Sequence, residues 1–377
     1  MVFEIWNREI IMETDEVVVI GAGTAGLIAA KSIAAHGIKV TVYDRKEKLG
    51  YPVKASGVIS IRGLESLRIN YKKAVTNDLY GAIIHAGKEN FTVRAEKPVA
   101  HVVDRLILNE ICYDECLDAG ASVKKGIGVS GAMLDKFGKK SIIVGADGAV
   151  STVAKHFGFP PIEKYVLTFK AEYRTMEDSE NVELFFDNNI TPGFFGWIIP
   201  KGDGTIEIGV GVDSKRGNSK RAFDSFVRTK YVAEQINGKE PRNQAASIIP
   251  VMLRKKFVDE EKKVLLVGDA AGQVKASTGG GIVLGGNAAI MVGNAVYEHI
   301  SHGKQLVEYE KAWRQKFGRD IAMHSMVRNF YSRSSLRSLA FAMKTAKKLG
   351  FESLLSKYGD MDSPSLIIKR VFLRKRN

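Results

Sequence analysis

Apolar and polar positions along the chain follow two different periods. Val17-Val18-Val19-Ile20 is an unbroken apolar run, as a strand buried on both faces requires. It runs into Gly21-Ala22-Gly23-Thr24-Ala25-Gly26, then into LIAAKSIAAHG, whose Ala-rich spacing predicts a helix closed by Gly37. IKVTVYD predicts a second strand ending at Asp44, so residues 16 to 44 read as a βαβ unit. In residues 104 to 120, Leu106, Ile107, Ile111, Cys112 and Leu117 recur at helical spacing before a Gly stop. SIIVGADGAVS is another buried strand, ending in a turn at Asp147-Gly148. From about 165 to 212 the period becomes two: VLTFKAEYRT, VELFFD, GWIIP and TIEIGVGVD predict short antiparallel strands with one covered face. KVLLVGDAAG at 263 to 272 returns to the first pattern, and beyond about residue 300 the chain reads as helical.

These patterns predict an α/β fold with an antiparallel sheet and a helical C-terminal region. Composition changes little: 377 residues, 45% hydrophobic and 26% charged, belong to a globular protein with room for two or three domains. The 37 glycines are an excess that points to tight turns and to backbone approaching something closely. Cys112 and Cys116 make neither a disulfide framework nor a zinc site, so we expect a reducing compartment and no metal. The opening MVFEIWNREIIMETDE carries acids among its apolar residues, unlike a targeting segment, and residues 1 to 11 read as a leader before Met12. Ala276 to Tyr297 carries no charge, but its glycines and polar residues predict a buried helix rather than a membrane span. The net charge of +14 draws anions, acidic lipid head groups among them; nucleic acid is not expected as a partner.

The Gly-rich turn follows a strand, opens a helix and is answered by Asp44. Gly21 permits the turn, Gly23 lets backbone approach a pyrophosphate at a helix N-terminus, and Gly26 lets helix and strand pack closely. Asp44 stands where a ribose hydroxyl pair is accepted. One βαβ unit does not choose between NAD and FAD. The distant return of the pattern at GDAAG does, since a cofactor stretched across the sheet needs a second contact for its ribityl chain. Asp269 supplies that acceptor, and the helix opened by Gly279-Gly280-Gly281 offers its N–H groups to a flavin's carbonyl edge.

GAGTAG, Asp104-Arg105 on a helix, GADG at 145 to 148 and GDAAGQVKASTGGGI at 268 to 282 together resemble the glutathione-reductase-type FAD fold shared with aromatic hydroxylases. Pro192-Gly-Phe-Phe195-Gly-Trp197-Ile-Ile-Pro200, followed by KGDG, is similar to the aromatic signature of the geranylgeranyl reductase family, with its archaeal digeranylgeranylglycerophospholipid reductases. TGGGI and GDMDSP fit the same family, and the likeness spans residues 16 to about 365. The resemblance implies an FAD-binding Rossmann-like domain at 12–160, including an inserted loop at 50–100, resumed at 256–300. It implies an antiparallel-sheet substrate domain at 161–255 and a helical region at 301–377. The FAD contacts it implies are Gly21, Gly23, Ala25, Gly26, Asp44, Ala55, Ser56, Val58, Arg105, Val129, Asp269, Gly280, Gly281 and Ile282. Family loops often carry Cys followed by Gly before the final Ser; this chain has Ala55 at the position that matches the Cys, so no thiol acts there.

The implied reaction is saturation of isolated prenyl double bonds of an isoprenoid lipid, with reduced FAD giving hydride. Ferredoxin or NAD(P)H is the expected electron donor. Such an alkene has no carbonyl to polarise, so the protein must position it in a dry channel. Phe195 and Trp197 are the candidate substrate residues, with Phe185, Phe186 and Phe194 as further lining; Tyr173 and His85 qualify as proton donors on chemical type alone. The rival reading is a flavin-dependent oxygenase or halogenase, and a lesser one a non-catalytic electron carrier. Residues 331 to 377 hold eleven Lys or Arg against three acids. Their stripe of Leu336, Leu339, Ala340 and Met343, followed by IIKRVFLRKRN, predicts a cytoplasmic protein docked on the anionic inner face of the membrane.

Overall fold

The computed structural model describes residues 17–175 and 179–365. The leader at 1–11 and the basic tail bearing Lys369, Arg370, Arg374, Lys375 and Arg376 lie outside the described residues.

A six-stranded sheet carries the first half of the fold. Its strands run β15 (Val258–Asp259), β16 (Val264–Leu266), β9 (Ile142–Gly145), β1 (Val17–Ile20), β2 (Val40–Tyr43) and β8 (Ser122–Lys124) in spatial order. All neighbours are parallel except β15 with β16. Every residue of β1, β2, β9 and β16 is buried, which explains their unbroken apolar runs.

Helix α1 (Thr24–Ala34) lies against α8 (Ile282–His302), where Ser32 Oγ donates to the Ile290 carbonyl at 3.3 Å. A side chain at Gly293 would overlap Ser32, so small residues in α8 set the closeness of the pair. The uncharged segment is this buried helix. Among the described residues no helix is long and apolar enough to cross a membrane.

Helix α3 (Arg105–Asp118) is capped by Asp104, whose carboxylate accepts from the Leu106 and Ile107 N–H groups. Its buried face is Leu108, Asn109, Cys112 and Cys116, whereas Ile107 and Leu117 are exposed. The expected stripe was therefore turned by about one residue from the real one. Burial pushes both thiols up to about 12, so neither is a reactive thiolate.

A small sheet of β3 (Val58–Ser60), β7 (Ala100–Val103) and β4 (Val75–Leu79) leads to the second large sheet. That sheet has seven strands, in the order β14 (Arg242–Pro250), β10 (Tyr165–Arg174), β13 (Thr205–Asp213), β12 (Gly196–Pro200), β11 (Asn181–Phe185), β5 (Gly81–Ala86) and β6 (Glu89–Arg94). All four predicted strands are there. Residues 81–94, expected within a loop, supply two more, with β5 parallel to β11.

One face of this sheet packs on α6 (Ser219–Val227) and α7 (Lys230–Ile236), burying Ala171, Tyr173, Ile208, Val210, Phe223 and Phe226. Tyr173 thus faces away from the aromatic signature. Phe185 packs on Phe226 on this same side, and His85 stacks on Phe185 at 4.4 Å while bonding Glu183. The opposite face carries Phe194, Phe195, Trp197, Ile199 and Val166, with Leu184 and Phe186 against them.

The remaining elements are α2 (Ile61–Ser66), α4 (Gly131–Gly138), α5 (Thr152–His156), α9 (Val307–Arg333), α10 (Leu336–Lys348) and α11 (Phe351–Tyr358). Leu336, Leu339, Ala340 and Met343 of α10 pack into the aromatic cluster, so this stripe is spent on the sheet and does not form an outer surface. Glu352 and Ser356 of α11 accept from the Thr92 and Arg94 N–H groups of edge strand β6, satisfying donors that would otherwise invite another strand.

Candidate functional site

Three glycines shape the turn after β1 for different reasons. Gly21 has φ +107°, and a side chain there would overlap the Ala146 carbonyl. A Cβ at Gly26 would overlap the Gly21 carbonyl oxygen, so helix and turn touch backbone to backbone. At Gly23 a Cβ would meet nothing within 4 Å. The protein itself does not require glycine there; the space lies at the first turn of α1, where N–H groups have no side-chain cap.

Other predicted residues converge on this turn. Arg105 Nη2 donates to Thr24 Oγ1 at 3.1 Å, while its Nε and Nη1 are buried and have no partner. Burial pulls this guanidinium down to about 10, with Cys112, Asp269 and Asp104 favouring its charged form. Asp269 sits in a 3-10 turn at Gly268–Ala270 after β16, and neither that turn nor α8 uses it as a cap. Burial raises its carboxyl to about 6, opposed by Arg105. A Cβ at Gly281 would stand 3.0 Å from Asp269 Oδ1, and one at Gly268 would stand 3.0 Å from the Ala25 methyl. Gly281 is the N-cap of α8 and Ile282 its first residue, with no side-chain cap on the exposed N–H groups. Gly280 is fixed by its neighbour, since a Cβ there would stand 2.8 Å from Lys275 Cε.

Asp44 has a task within the protein itself. Its Oδ2 accepts from the Ala22 N–H at 2.7 Å and its Oδ1 from the Lys46 N–H at 2.8 Å, so it braces the Gly-rich turn. Each oxygen keeps a further lone pair. Val129 follows β8 near this end of the sheet, where the Ile127 N–H donates to the Asp44 carbonyl at 2.9 Å.

The loop of Ala55 and Ser56 lies elsewhere, against the seven-stranded sheet. Gly57 packs on the Val103 carbonyl, Val58 joins the aromatic cluster, and the Ala55 carbonyl accepts from Lys170 Nζ at 3.0 Å. Phe195 and Trp197 are buried on the inner face. Phe195 stacks on Phe194 at 4.2 Å and meets Trp197 edge-on at 6.2 Å, while Tyr331 closes the group from α9. Their packing is dense, and side chains of the C-terminal helices complete it.

Two buried ion pairs escaped the sequence reading. Lys170 and Glu207 pair at 2.7 Å, and Lys275 and Asp362 at 2.6 Å. Asp362, in GDMDSP, also accepts from Ser60 Oγ, so this segment ties the loop before α8 to β3. The first pair was hidden by its strands: Lys170 and Glu207 stand on the polar phase of two regularly alternating segments, which period two alone assigns to an uncovered face.

The sequence profile described as "Geranylgeranyl reductase catalytic domain" matches residues 164–251, most of the seven-stranded sheet, and one described as "FAD binding domain" matches residues 16–94. The digeranylgeranylglycerophospholipid reductase of Methanosarcina mazei is 32% identical, over 88% of this chain and 89% of its own. That of Methanosarcina acetivorans is 30% identical over 90% of each. The chain belongs to the geranylgeranyl reductase family. A geranylgeranyl bacteriochlorophyll reductase-like crystal structure from Thermoplasma acidophilum shares the fold, with a TM-score of 0.80 at 20% identity, over 95% of this chain and 96% of that one. A flavin-dependent brominase shares it at 0.69 and 15% identity, over 96% and 99%. As a geranylgeranyl reductase the chain is an FAD-dependent oxidoreductase, and its residues fit the cofactor. The unfilled space at Gly23, the two unpartnered nitrogens of Arg105 and the uncapped N-terminus of α8 all surround one end of the parallel sheet.

Proposed function

We propose that this chain saturates the isoprenoid double bonds of a geranylgeranyl-type membrane lipid precursor. The observation that carries the reading is the inner face of the catalytic-domain sheet: Phe186, Phe194, Phe195, Trp197 and Tyr331 form an apolar wall on the side turned towards β3 and the loop before it. Isolated alkenes have no carbonyl to polarise, so an apolar wall that excludes water and orients a chain is what the reaction asks of the protein.

In this reading Gly21, Gly23, Ala25 and Gly26 cradle the pyrophosphate, and Arg105 gives its free nitrogens to phosphate or ribityl oxygens. Asp44 accepts from the ribose and Val129 flanks the adenine. Asp269 accepts from the ribityl chain, and Gly280, Gly281 and Ile282 present the α8 N–H groups to the ring. Ala55, Ser56 and Val58 form the ring's other border, and Phe195 and Trp197 hold the lipid. Bound FAD, once reduced by ferredoxin or NAD(P)H, supplies a hydride, and a proton completes each saturation. The division into 12–160 with 256–300, 161–255 and 301–377 belongs to the same reading.

The test is anaerobic incubation of dithionite-reduced protein with a geranylgeranyl lipid. Product gaining mass in steps of two hydrogens is expected. Product formed only with oxygen would favour the halogenase or oxygenase alternative, which Phe195-Gly-Trp197-Ile-Ile-Pro200 keeps in view.

The lipid also places the enzyme at a membrane. Since the α10 stripe is used internally, the docking surface in this reading lies on the outer side of the C-terminal helices, where Phe330, Phe341 (72% exposed), Leu349 (70% exposed) and Phe351 stand among Arg333, Arg337, Lys344 and Lys348. Each basic residue near an anionic bilayer is worth roughly 1 kcal/mol. Sedimentation with anionic vesicles should weaken with salt and with Phe341→Ser combined with Lys344→Gln and Lys348→Gln. Binding unchanged by either leaves this surface ordinary.

A further inference from the structure

Glu207 is wholly buried and Lys170 is 3% exposed, yet both lie on the apolar inner face of the seven-stranded sheet. Each of their polar atoms is used. Lys170 Nζ donates to Glu207 Oε2 at 2.7 Å and to the Ala55 carbonyl at 3.0 Å. Trp197 Nε1 donates to Glu207 Oε1 at 3.0 Å, and the Ser56 hydroxyl also bonds the carboxylate. In the strand register Lys170 and Trp197 both face Gly209, so the ammonium and the indole flank one bare position on β13. Burial alone would raise the Glu207 carboxyl, but Lys170 and Lys201 bring it below its ordinary value and keep it ionised.

A charge pair in such a place is a poor way to hold a core together, because two apolar side chains of similar volume often serve stability as well or better. What apolar residues cannot do is fix a backbone carbonyl and an indole N–H at once. We propose that Lys170 and Glu207 are positioning residues that lock the 55–56 loop and the Trp197 ring into one register. The border of the flavin site and the wall of the lipid site are then set by the same carboxylate. The inference rests on the cofactor and substrate reading above, and names a pair of residues that the reading does not use.

Three variants test it, read by thermal midpoint, by visible circular dichroism of the bound flavin, and by the split between kcat and KM for prenyl reduction. Lys170→Met with Glu207→Leu should keep or raise the thermal midpoint and retain FAD. It should change the flavin dichroism and lower kcat at least tenfold, with KM less affected. Lys170→Arg, which keeps both donors, should restore most of the signal and rate. A double variant that is stable, with wild-type dichroism and wild-type kcat, would overturn the proposal, because the pair would then be packing alone. Should the double variant not fold, Lys170→Leu with Glu207→Gln, which leaves no unpaired buried charge and still frees the Ala55 carbonyl, carries the same comparison: altered dichroism supports the lock and unaltered dichroism refutes it. The dichroism reads the loop without any lipid, so wild-type protein inactive on prenyl chains refutes the substrate reading and leaves the lock still tested.

Discussion

Glycine is used in opposite ways at the end of the parallel sheet and on the inner face of the antiparallel one. After β1, Gly23 is bare although nothing of the protein comes within 4 Å of where its side chain would be. On β13, Gly209 is bare because the Trp197 indole lies over it, and Gly211 because the Phe194 ring does. In the first region the chain leaves room for something that is not itself. In the second it fills the room with its own aromatics. Binding at the first is a matter of backbone N–H groups and one guanidinium, whereas at the second it depends on rings whose positions are set by packing.

The sharpest way to break this contrast is a pair of substitutions three residues apart. Gly26→Val drives a branched side chain into the Gly21 carbonyl and should leave no soluble folded protein. At Gly23 a Cβ would meet nothing within 4 Å, and Gly23→Val should fold with a thermal midpoint near that of the apo wild type. It should bind FAD at least about 100-fold more weakly, close to 2.7 kcal/mol. Tight, stoichiometric FAD in purified Gly23→Val protein would remove the cradle from this turn.

On the sheet the order of effects reverses. Trp197→Ala opens a buried cavity and should cost about 3–5 kcal/mol of stability while leaving FAD bound. Gly209→Ala should cost less, about 1–3 kcal/mol, by pushing the indole off the strand and away from Glu207. Both should slow prenyl saturation more than they weaken FAD binding, as product mass against time and flavin stoichiometry will read. If either loses flavin before it loses activity, the two regions are not separable in this way.

The same contrast explains what the sequence disclosed. The cradle was legible because its requirements are local: a tight turn and a close backbone approach fall within six residues, and only glycine meets them. The strands were legible from their period. Which aromatic residues face the site was not. Phe185 and Phe186 are adjacent, yet Phe185 packs on α6 and Phe186 on Phe195. Only the register of β11 against β12 decides that, and register is a property of two strands. Asp44 shows a milder case, since the bond to the Ala22 N–H needs the turn and the strand end in their folded positions. The α10 stripe misled because an apolar face says that something covers it without saying what; here it is the protein's own sheet.

The smallest expected effect lies at Asp269, and it carries a sign. Burial raises this carboxyl to about 6 in the apo fold, above its ordinary value near 4. Its charged form is therefore disfavoured by folding: the apo protein gains stability from this group as pH falls from about 6 towards 4, and bears the cost above 6. FAD binding has the opposite slope, because hydroxyls donating to the carboxylate favour the charged form and lower its pKa in the complex. Affinity should then be several-fold weaker at pH 5 than at pH 7, within the tenfold per unit that a single proton allows. Asp269→Asn has no proton to exchange and should bind FAD more weakly at pH 7 but with a flat profile. Titration of apo protein by flavin fluorescence at pH 5, 6 and 7 separates the two. If wild type and Asp269→Asn weaken in parallel as the pH falls, some other group governs the profile, and the carboxylate on this turn is not the ribityl acceptor.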